Sequence, residues 1–244
     1  MIADARIAVS FLTRLPVGTS SLTAARLSRA AAWFPAVGLL VGGVMGGTHA
    51  LANLTLSPVV ATVLALLAAV LVTGGFHEDG LADTADALGA HTSRERKLEI
   101  LRDPRVGTYG ALALVFAVAL PVALLAPLGD ERFLRAALVG HVLGRWSTLP
   151  QSLLLPAARP DGSGALVRVG WGGLIAGSCV AVATALVAGG LAAGTVALGV
   201  AVAMTAAGAW VSVRGLGGVS GDTFGAVNKL VELAAYAALA AMWA

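Results

Sequence analysis

The chain has 244 residues, of which 58% are hydrophobic and 12% are charged, and its formal net charge is +3. Soluble domains usually carry about a quarter charged residues, so this composition argues against an ordinary soluble domain and indicates an integral membrane protein. The net charge is small, and no lysine- or arginine-rich stretch alternates with aromatic residues. Nucleic-acid binding therefore finds no support.

The first 18 residues, MIADARIAVSFLTRLPVG, predict a retained helix that lies on the membrane surface. Asp4 and Arg6 interrupt the apolar run, which leaves no signal-peptide core. One apolar face at helical spacing is formed by Ile7, Phe11, Leu12 and Leu15, with Arg14 off that face. The alternative is a frayed tail.

Seven apolar windows follow, and a spanning helix needs about 20 predominantly apolar residues. They lie near residues 32–54, 57–76, 109–128, 134–152, 171–189, 191–213 and 230–244. The fourth is weak because it contains His141 and Arg145, and the last is short. Gly38, Gly42 and Gly46 recur at four-residue spacing in the first window, which predicts close helix approach. We predict one all-α domain, residues 1–244, built as a polytopic membrane bundle of about six or seven transmembrane helices.

The basic residues are distributed unevenly over the segments between these windows. If all seven windows span, thirteen of the 16 Lys and Arg residues lie on one side of the membrane, which the positive-inside bias makes cytoplasmic. The polar stretches of residues 77–110, 155–170 and 214–232 fall on the same side. Three segments far apart in sequence are therefore predicted to face one compartment and to line one site.

The first polar motif is GGFHEDGLADTADALG, residues 74–89. Asp79, Asp83 and Asp86 stand at i, i+4 and i+7, so a helix places all three carboxylates on one face. Like charges so close repel unless a cation lies among them, and Mg²⁺ prefers such oxygen ligands. The alternative is a solvated helix start favoured by the helix dipole. That explains Glu78 and Asp79 but not the other two acids.

Two neighbours of this stripe each allow two interpretations. Glu78 lies about 100° away from it on a helix, so it either supports the metal site or is exposed. His77 either stabilises the acids or exchanges a proton with substrate.

The second motif, SRERKLEILRDPRVGTYG, is basic. Pro104 ends a helix that Ser93 begins. Arg102, Asp103 and Arg105 then precede the backbone of GTYG, a setting that suits phosphate oxygens. The preceding basic residues are explained equally well by the positive-inside bias.

The third motif, RGLGGVSGDTFGAVNKLVE, joins a glycine-rich loop to a helix. Its Asp222 either completes a metal site or caps the helix. Arg145 lies within a predicted span, and a cation there usually faces the protein interior and serves a site.

The sequence resembles the cobalamin synthase, or adenosylcobinamide-GDP ribazoletransferase, family. The matching stretches are FLTRLPVG, WFPAVGLLVG, GGFHEDGLADTADALG, RERKLEILRDPRVGTYGALAL, GRWS, LPAARPDGSG and GLGGVSGDTFGAVNKLVE. They occur in the family's order over nearly the whole chain. Two positions depart from the family pattern: Ser220 replaces an expected Thr, and Lys229 replaces an expected acid, while Glu232 leaves an acid nearby.

The resemblance implies a Mg²⁺-dependent enzyme of the cytoplasmic (inner) membrane, with its active site facing the cytoplasm. Its substrates would be adenosylcobinamide-GDP and α-ribazole or the 5′-phosphate of α-ribazole, and GMP would be released. Its partners would be these small molecules and the lipid bilayer, and a homo-oligomer is left open. The expected metal ligands are Asp79, Asp83, Asp86, Glu78 and Asp222. The expected catalytic residues are Asp79, Asp83 and His77. The expected substrate-binding residues are Arg102, Asp103, Arg105, Gly107, Gly110, Arg145 and Gly221.

Two other functions compete with this one. CDP-alcohol phosphotransferases also place several aspartates on a membrane helix, but Asp83 and Thr84 stand where that pattern needs Ala and Arg. A cation-coupled transporter would use intramembrane acids, yet these acids cluster at one predicted membrane face.

Overall fold

The computed structural model describes residues 2–18, 23–159 and 163–244, which form thirteen α-helices and one 3-10 turn. The helices are α1 Ile2–Leu12, α2 Ala24–Ala30, α3 Phe34–Asn53, α4 Pro58–Thr73, α5 Phe76–Gly89, α6 Arg94–Ile100, α7 Thr108–Leu125, α8 Asp130–Trp146, α9 Thr148–Leu154, α10 Ser163–Leu166, α11 Trp171–Gly189, α12 Leu191–Leu216 and α13 Gly221–Trp243, with the 3-10 turn at Ala31–Trp33. Within these ranges there is no strand, only an isolated bridge between Ala157 and Val219. The all-α prediction is confirmed.

Five helical stretches of the described residues are long and apolar enough to cross a membrane. They are Ala24–Asn53, Thr108–Leu125, Trp171–Gly189, Leu191–Leu216 and Gly221–Trp243. The pair α4 and α5 makes a sixth if it counts as one span, although it bends by 91°. The protein is therefore a multi-pass helical bundle of five or six candidate spans.

The predicted span at residues 134–152 is not among these stretches. The corresponding α8 has 17 residues, includes charged groups, and is followed by the separate helix α9. It packs against α3, α11, α12 and α13. Because its middle is covered by protein rather than lipid, it can carry His141 and Arg145 in buried positions.

The helix predicted at residues 230–244 begins earlier, at Gly221. Ser220 caps it by accepting a hydrogen bond from the Thr223 N–H, and Thr223 Oγ1 accepts one from the Ser220 N–H in return. The polar first half of α13 is largely buried against other helices. Its polar residues misled the sequence interpretation because they contact protein, not lipid.

Small residues set the closest helix contacts, as the glycine repeat predicts. A Cβ at Gly38 would lie 2.6 Å from the His141 carbonyl oxygen, and one at Gly42 would lie 2.7 Å from that of Ala137. Gly46 faces Leu134 in the same way. All three contacts are made with α8, so the repeat brings α3 and α8 together.

The N-terminal helix α1 is confirmed for residues 2–12, and the frayed-tail alternative is wrong there. Its buried residues Ile7, Ala8 and Leu12 pack toward α2 and α3. Its position on the membrane surface stays a prediction.

Candidate active site

A sharp corner places the acidic helix α5 at an angle to α4. Gly74 and Gly75 both adopt left-handed backbone conformations, with φ of 71° and 72°, which glycine adopts without steric cost. The glycine pair that opens the acidic motif therefore produces the 91° bend. It directs the aspartates away from the axis of the preceding membrane helix.

The predicted aspartate stripe lies on α5, which is helical from Phe76 to Gly89. Asp79 is exposed, whereas Asp83 and Asp86 are half-buried. The carboxylates of Asp79, Asp86 and Asp222 are all close enough to act electrostatically on Asp83. Four acids from two distant segments are thus brought together, as the sequence predicts for α5 and leaves open for Asp222.

Asp222 reaches this cluster because α5 and α13 approach closely at two glycines. A Cβ at Gly80 would lie 2.8 Å from the Asp222 carbonyl oxygen and 3.2 Å from the Gly225 Cα. Asp222 lies in the first turn of α13, and the Ser220 hydroxyl donates to its Oδ2 at 3.3 Å. Gly221 precedes it at the start of the helix. Glycine at position 80 is therefore a steric requirement of the site.

Asp86 has a second set of contacts, which fasten α5 to the start of α7. Its carboxylate accepts hydrogen bonds from the N–H groups of Gly107 at 2.7 Å and Gly110 at 2.9 Å. A Cβ at Gly107 would lie 2.5 Å from Asp86 Oδ1, and one at Gly110 would overlap Asp86 Oδ2. The sequence predicts that these glycines bind substrate, but in the structure their N–H groups bind Asp86.

The carboxylate oxygens of this cluster are the kind of ligand that Mg²⁺ prefers, but they do not form a preformed coordination site. Within the described ranges, no three His, Cys, Asp or Glu side chains are arranged to hold a metal ion. Mg²⁺ commonly needs only one or two carboxylates, with water and substrate phosphates completing its coordination. Any two of Asp79, Asp83 and Asp222 would supply that number, while Asp86 is already engaged by two N–H groups.

A cavity of about 680 Å³ opens beside this cluster. It is lined by the end of α1, the Gly74–Gly75 corner, Glu78 and Asp79 of α5, and Val106 and Leu114. Its volume falls within the range of small-molecule sites. Asp79 belongs both to the cavity wall and to the aspartate cluster, so the cavity is the candidate active site.

The predicted phosphate-binding loop lies near the cavity but is bonded to itself. Arg105 contacts Asp103 through two guanidinium hydrogen bonds of 2.9 and 2.6 Å, and its backbone N–H adds a third. These bonds hold the pKa of Asp103 down at about 2. Arg102 and Arg105 are exposed, and neither lines the cavity, whereas Val106 does. Phosphate binding by this loop stays a prediction.

A buried ionic network connects α5, α8 and α13 beneath the acidic cluster. Lys229 Nζ lies 3.1 Å from Glu78 and 2.6 Å from Glu232, and Glu232 lies 2.9 Å from His141. Arg145 donates to the His141 carbonyl at 3.1 Å and is 1% exposed. The two acids and two permanent cations balance in charge, as buried charges require.

This network bears on three predicted site residues. Glu78 is paired with Lys229, Arg145 is enclosed, and His77 is 6% exposed among the network's charges. Their metal, phosphate and catalytic roles stay predictions. The sequence interpretation missed the pairing, although Lys229 and Glu232 stand at i and i+3 on α13 and Lys229 departs from the family pattern. Pro160, Asp161 and Gly162 of LPAARPDGSG lie outside the described residues.

Comparison with known proteins gives a consistent result. The family model described as cobalamin-5-phosphate synthase matches residues 4–240. A relative from Bradyrhizobium diazoefficiens, named adenosylcobinamide-GDP ribazoletransferase, is 40% identical over 96% of this chain and 91% of its own length. Relatives of the same name from Roseiflexus sp. and Shewanella woodyi are each 37% identical, over 95% and 94% of this chain and 87% and 92% of their own lengths. No solved structure matches the chain.

Proposed function

The chain belongs to the cobalamin-5-phosphate synthase family, and on that premise we propose that its reaction takes place in the cavity beside Asp79. The reaction transfers the adenosylcobinamide phosphoryl group of adenosylcobinamide-GDP to α-ribazole or its 5′-phosphate. The products are adenosylcobalamin or its 5′-phosphate, and GMP. The comparisons support neither a CDP-alcohol phosphotransferase nor a cation-coupled transporter.

The reaction is assigned to this cavity because Asp79 belongs both to the cavity wall and to the aspartate cluster. Asp79 lines the cavity, and it acts electrostatically on both Asp83 and Asp222. We propose that the carboxylates of Asp79 and Asp83 hold Mg²⁺ at the cavity wall, with Asp222 beside them. When bound, Mg²⁺ would supply positive charge for the phosphoryl oxygens and the departing GMP.

The remaining residues hold these acids in place. Asp86 bonds the start of α7, and Gly80 allows the close contact between α5 and α13. We further propose that one of Asp79 and Asp83 accepts the proton of the attacking ribose hydroxyl. His77 is less suited, because it is only 6% exposed and the cations Arg145 and Lys229 act on it electrostatically.

We propose that the cavity faces the cytoplasm from the inner membrane. Support comes from the distribution of Lys and Arg, thirteen of which lie on one side if the protein-enclosed helix α8 also crosses the membrane. The arginines of α6 and of the following loop directly precede Val106, which lines the cavity. Arg132 and Arg135 lie at the start of α8, beyond the other end of α7.

The metal assignment is tested by replacing Asp79 or Asp83 with Asn in purified, detergent-solubilised protein and measuring GMP release over a range of Mg²⁺ concentrations. We expect a loss of about a hundredfold or more in either variant, because a neutral amide does not replace an ionised metal ligand. The matched control is Glu131→Gln, an exposed acid paired with Arg135 on α8. Activity of the Asn variants within a few-fold of wild type at saturating Mg²⁺ would overturn the assignment.

A further inference from the structure

Arg14 lies at the edge of the candidate active site, in the FLTRLPVG stretch that the proposed function leaves unexplained. Its backbone N–H donates to the Val72 carbonyl at 2.7 Å, which fixes it against the end of α4. Its side chain lies over the Gly74 turn, where a Cβ would overlap Arg14 Nε and lie 3.0 Å from its Cγ. The backbone contact and the glycine surface together hold this arginine at the corner between α4 and α5.

Arg14 lines the same cavity as Asp79. Among the described residues that line the cavity, Arg14 is the one cationic side chain, and Glu78 and Asp79 are the acidic ones. Glu78 is paired with Lys229. Within residues 2–18, 23–159 and 163–244, the Arg14 side chain makes no hydrogen bond or ion pair, and it is exposed. Its donors are therefore available to a molecule in the cavity.

The other arginines near the site are placed differently. Arg105 uses its guanidinium on Asp103, and Arg145 is buried in the ionic network. Arg94 donates to the carbonyls of Leu216 and Ala158. Arg14 therefore combines access to the cavity with unused donors, and its planar group is suited to pairs of phosphate oxygens.

We propose that Arg14 binds the diphosphate of the nucleotide-activated substrate, on the opposite side of that diphosphate from the Asp79 carboxylate. Carboxylates repel phosphate oxygens, so the acidic wall cannot bind them directly, whereas a guanidinium can. The cavity's 680 Å³ is large enough for a diphosphate and part of the groups attached to it. This inference rests on the proposed function, because it takes the cavity to be the site of phosphoryl transfer.

The test compares Arg14→Gln, Arg14→Lys and the control Arg135→Gln in full-length protein solubilised in detergent. Arg135 is a partly exposed arginine paired with Glu131 at the start of α8. The measurements are KM for adenosylcobinamide-GDP, KM for α-ribazole, and the inhibition constant of inorganic pyrophosphate in the presence of Mg²⁺. Thermal unfolding of each variant shows whether the fold is kept.

For Arg14→Gln we expect KM for adenosylcobinamide-GDP and the pyrophosphate inhibition constant to rise about ten- to a hundredfold, since a charge-assisted hydrogen bond is lost. KM for α-ribazole should stay within about threefold. Arg14→Lys keeps the charge without the planar fork, so both constants should fall between those of wild type and Arg14→Gln. If Arg14→Gln does not fold, Arg14→Lys alone provides the test: KM for adenosylcobinamide-GDP and the pyrophosphate inhibition constant should both rise by about a few-fold.

Two results would overturn the inference: an unchanged pyrophosphate inhibition constant in the folded Arg14 variants, or an equal rise in KM for both substrates. Failure of the proposed function gives a different pattern. In that case Asp79→Asn keeps its activity, whatever the Arg14 variants do.

Discussion

Removing the buried cation of Lys229 tests the ionic network in isolation from the metal site. In Lys229→Met, Glu78 and Glu232 lose an ammonium group that lies 3.1 Å and 2.6 Å away, respectively. Methionine has similar length but no charge. Lys229 is 6% exposed and Glu232 is 1% exposed, so water cannot readily replace the lost cation.

The expected loss follows from these contacts. Removing one partner of a buried ion pair costs about 3–5 kcal/mol, because a charge is left uncompensated. At roughly 2–4 °C per kcal/mol for a chain of this size, the unfolding temperature should fall by about 6–20 °C. Glu232 keeps its contact with His141 at 2.9 Å, whereas Glu78 has no other ion-pair partner within the described ranges. Part of the loss should therefore come from Glu78, whose side chain is 20% exposed, and part from the more deeply buried Glu232.

The assay is thermal unfolding in detergent of four proteins: wild type, Lys229→Met, Lys229→Met with Glu78→Gln, and Lys97→Met. Lys97 is the other lysine of the chain and lies on the short helix α6, so its substitution should change the unfolding temperature by no more than about 2 °C. Neutralising Glu78 should recover part of the loss in the double variant. An unfolding temperature for Lys229→Met equal to that of Lys97→Met, or no recovery in the double variant, would refute the reasoning.

Two further predictions concern the junction between α5 and α7. Asp86→Asn should lower the free energy of unfolding by about 1–3 kcal/mol, because the amide oxygen replaces only one of the two carboxylate oxygens that accept these N–H groups. The control Asp79→Asn changes an exposed residue and should leave the free energy of unfolding nearly unchanged. Equal unfolding temperatures for the two variants would contradict this prediction. Gly110→Ala should lose more activity and stability than Gly107→Ala. The Cβ at position 110 would also lie 2.9 Å from the Ala82 backbone carbonyl oxygen, whereas the atoms nearest to a Cβ at position 107 belong to the Asp86 side chain. Activity and thermal unfolding of both variants check this order.

The prediction of Asp79, Asp83 and Asp86 on one helical face needed only the sequence. Helical periodicity is a local property, and α5 is helical over the whole motif. The sequence could not predict that Asp86 is used by two backbone N–H groups of α7, because that contact joins residues more than twenty positions apart. The glycines of GTYG are typical of an anion-binding loop, but the anion that their N–H groups bind is the Asp86 carboxylate of the protein itself.

The windows at residues 134–152 and 230–244 show where hydropathy is insufficient. Hydropathy identifies helices that face lipid, but α8 and the first half of α13 face other helices. Buried helices can hold polar residues as long as partners are present. Those partners are within the group itself, which consists of His141, Arg145, Lys229 and Glu232. Their segments are therefore deeply buried although their hydropathy is low for a membrane span.

The sequence by itself determined the all-α membrane class, the family, the helical aspartate stripe and the glycine contacts between α3 and α8, because each depends on composition, local spacing or a contiguous motif. Tertiary structure decided which charges meet. It paired Lys229 with Glu78 and Glu232, enclosed Arg145, brought Asp222 to Asp83, and placed Arg14 on the cavity wall. Coulombic and hydrogen-bonding partners are set by distance in space, which the packing of distant helices determines.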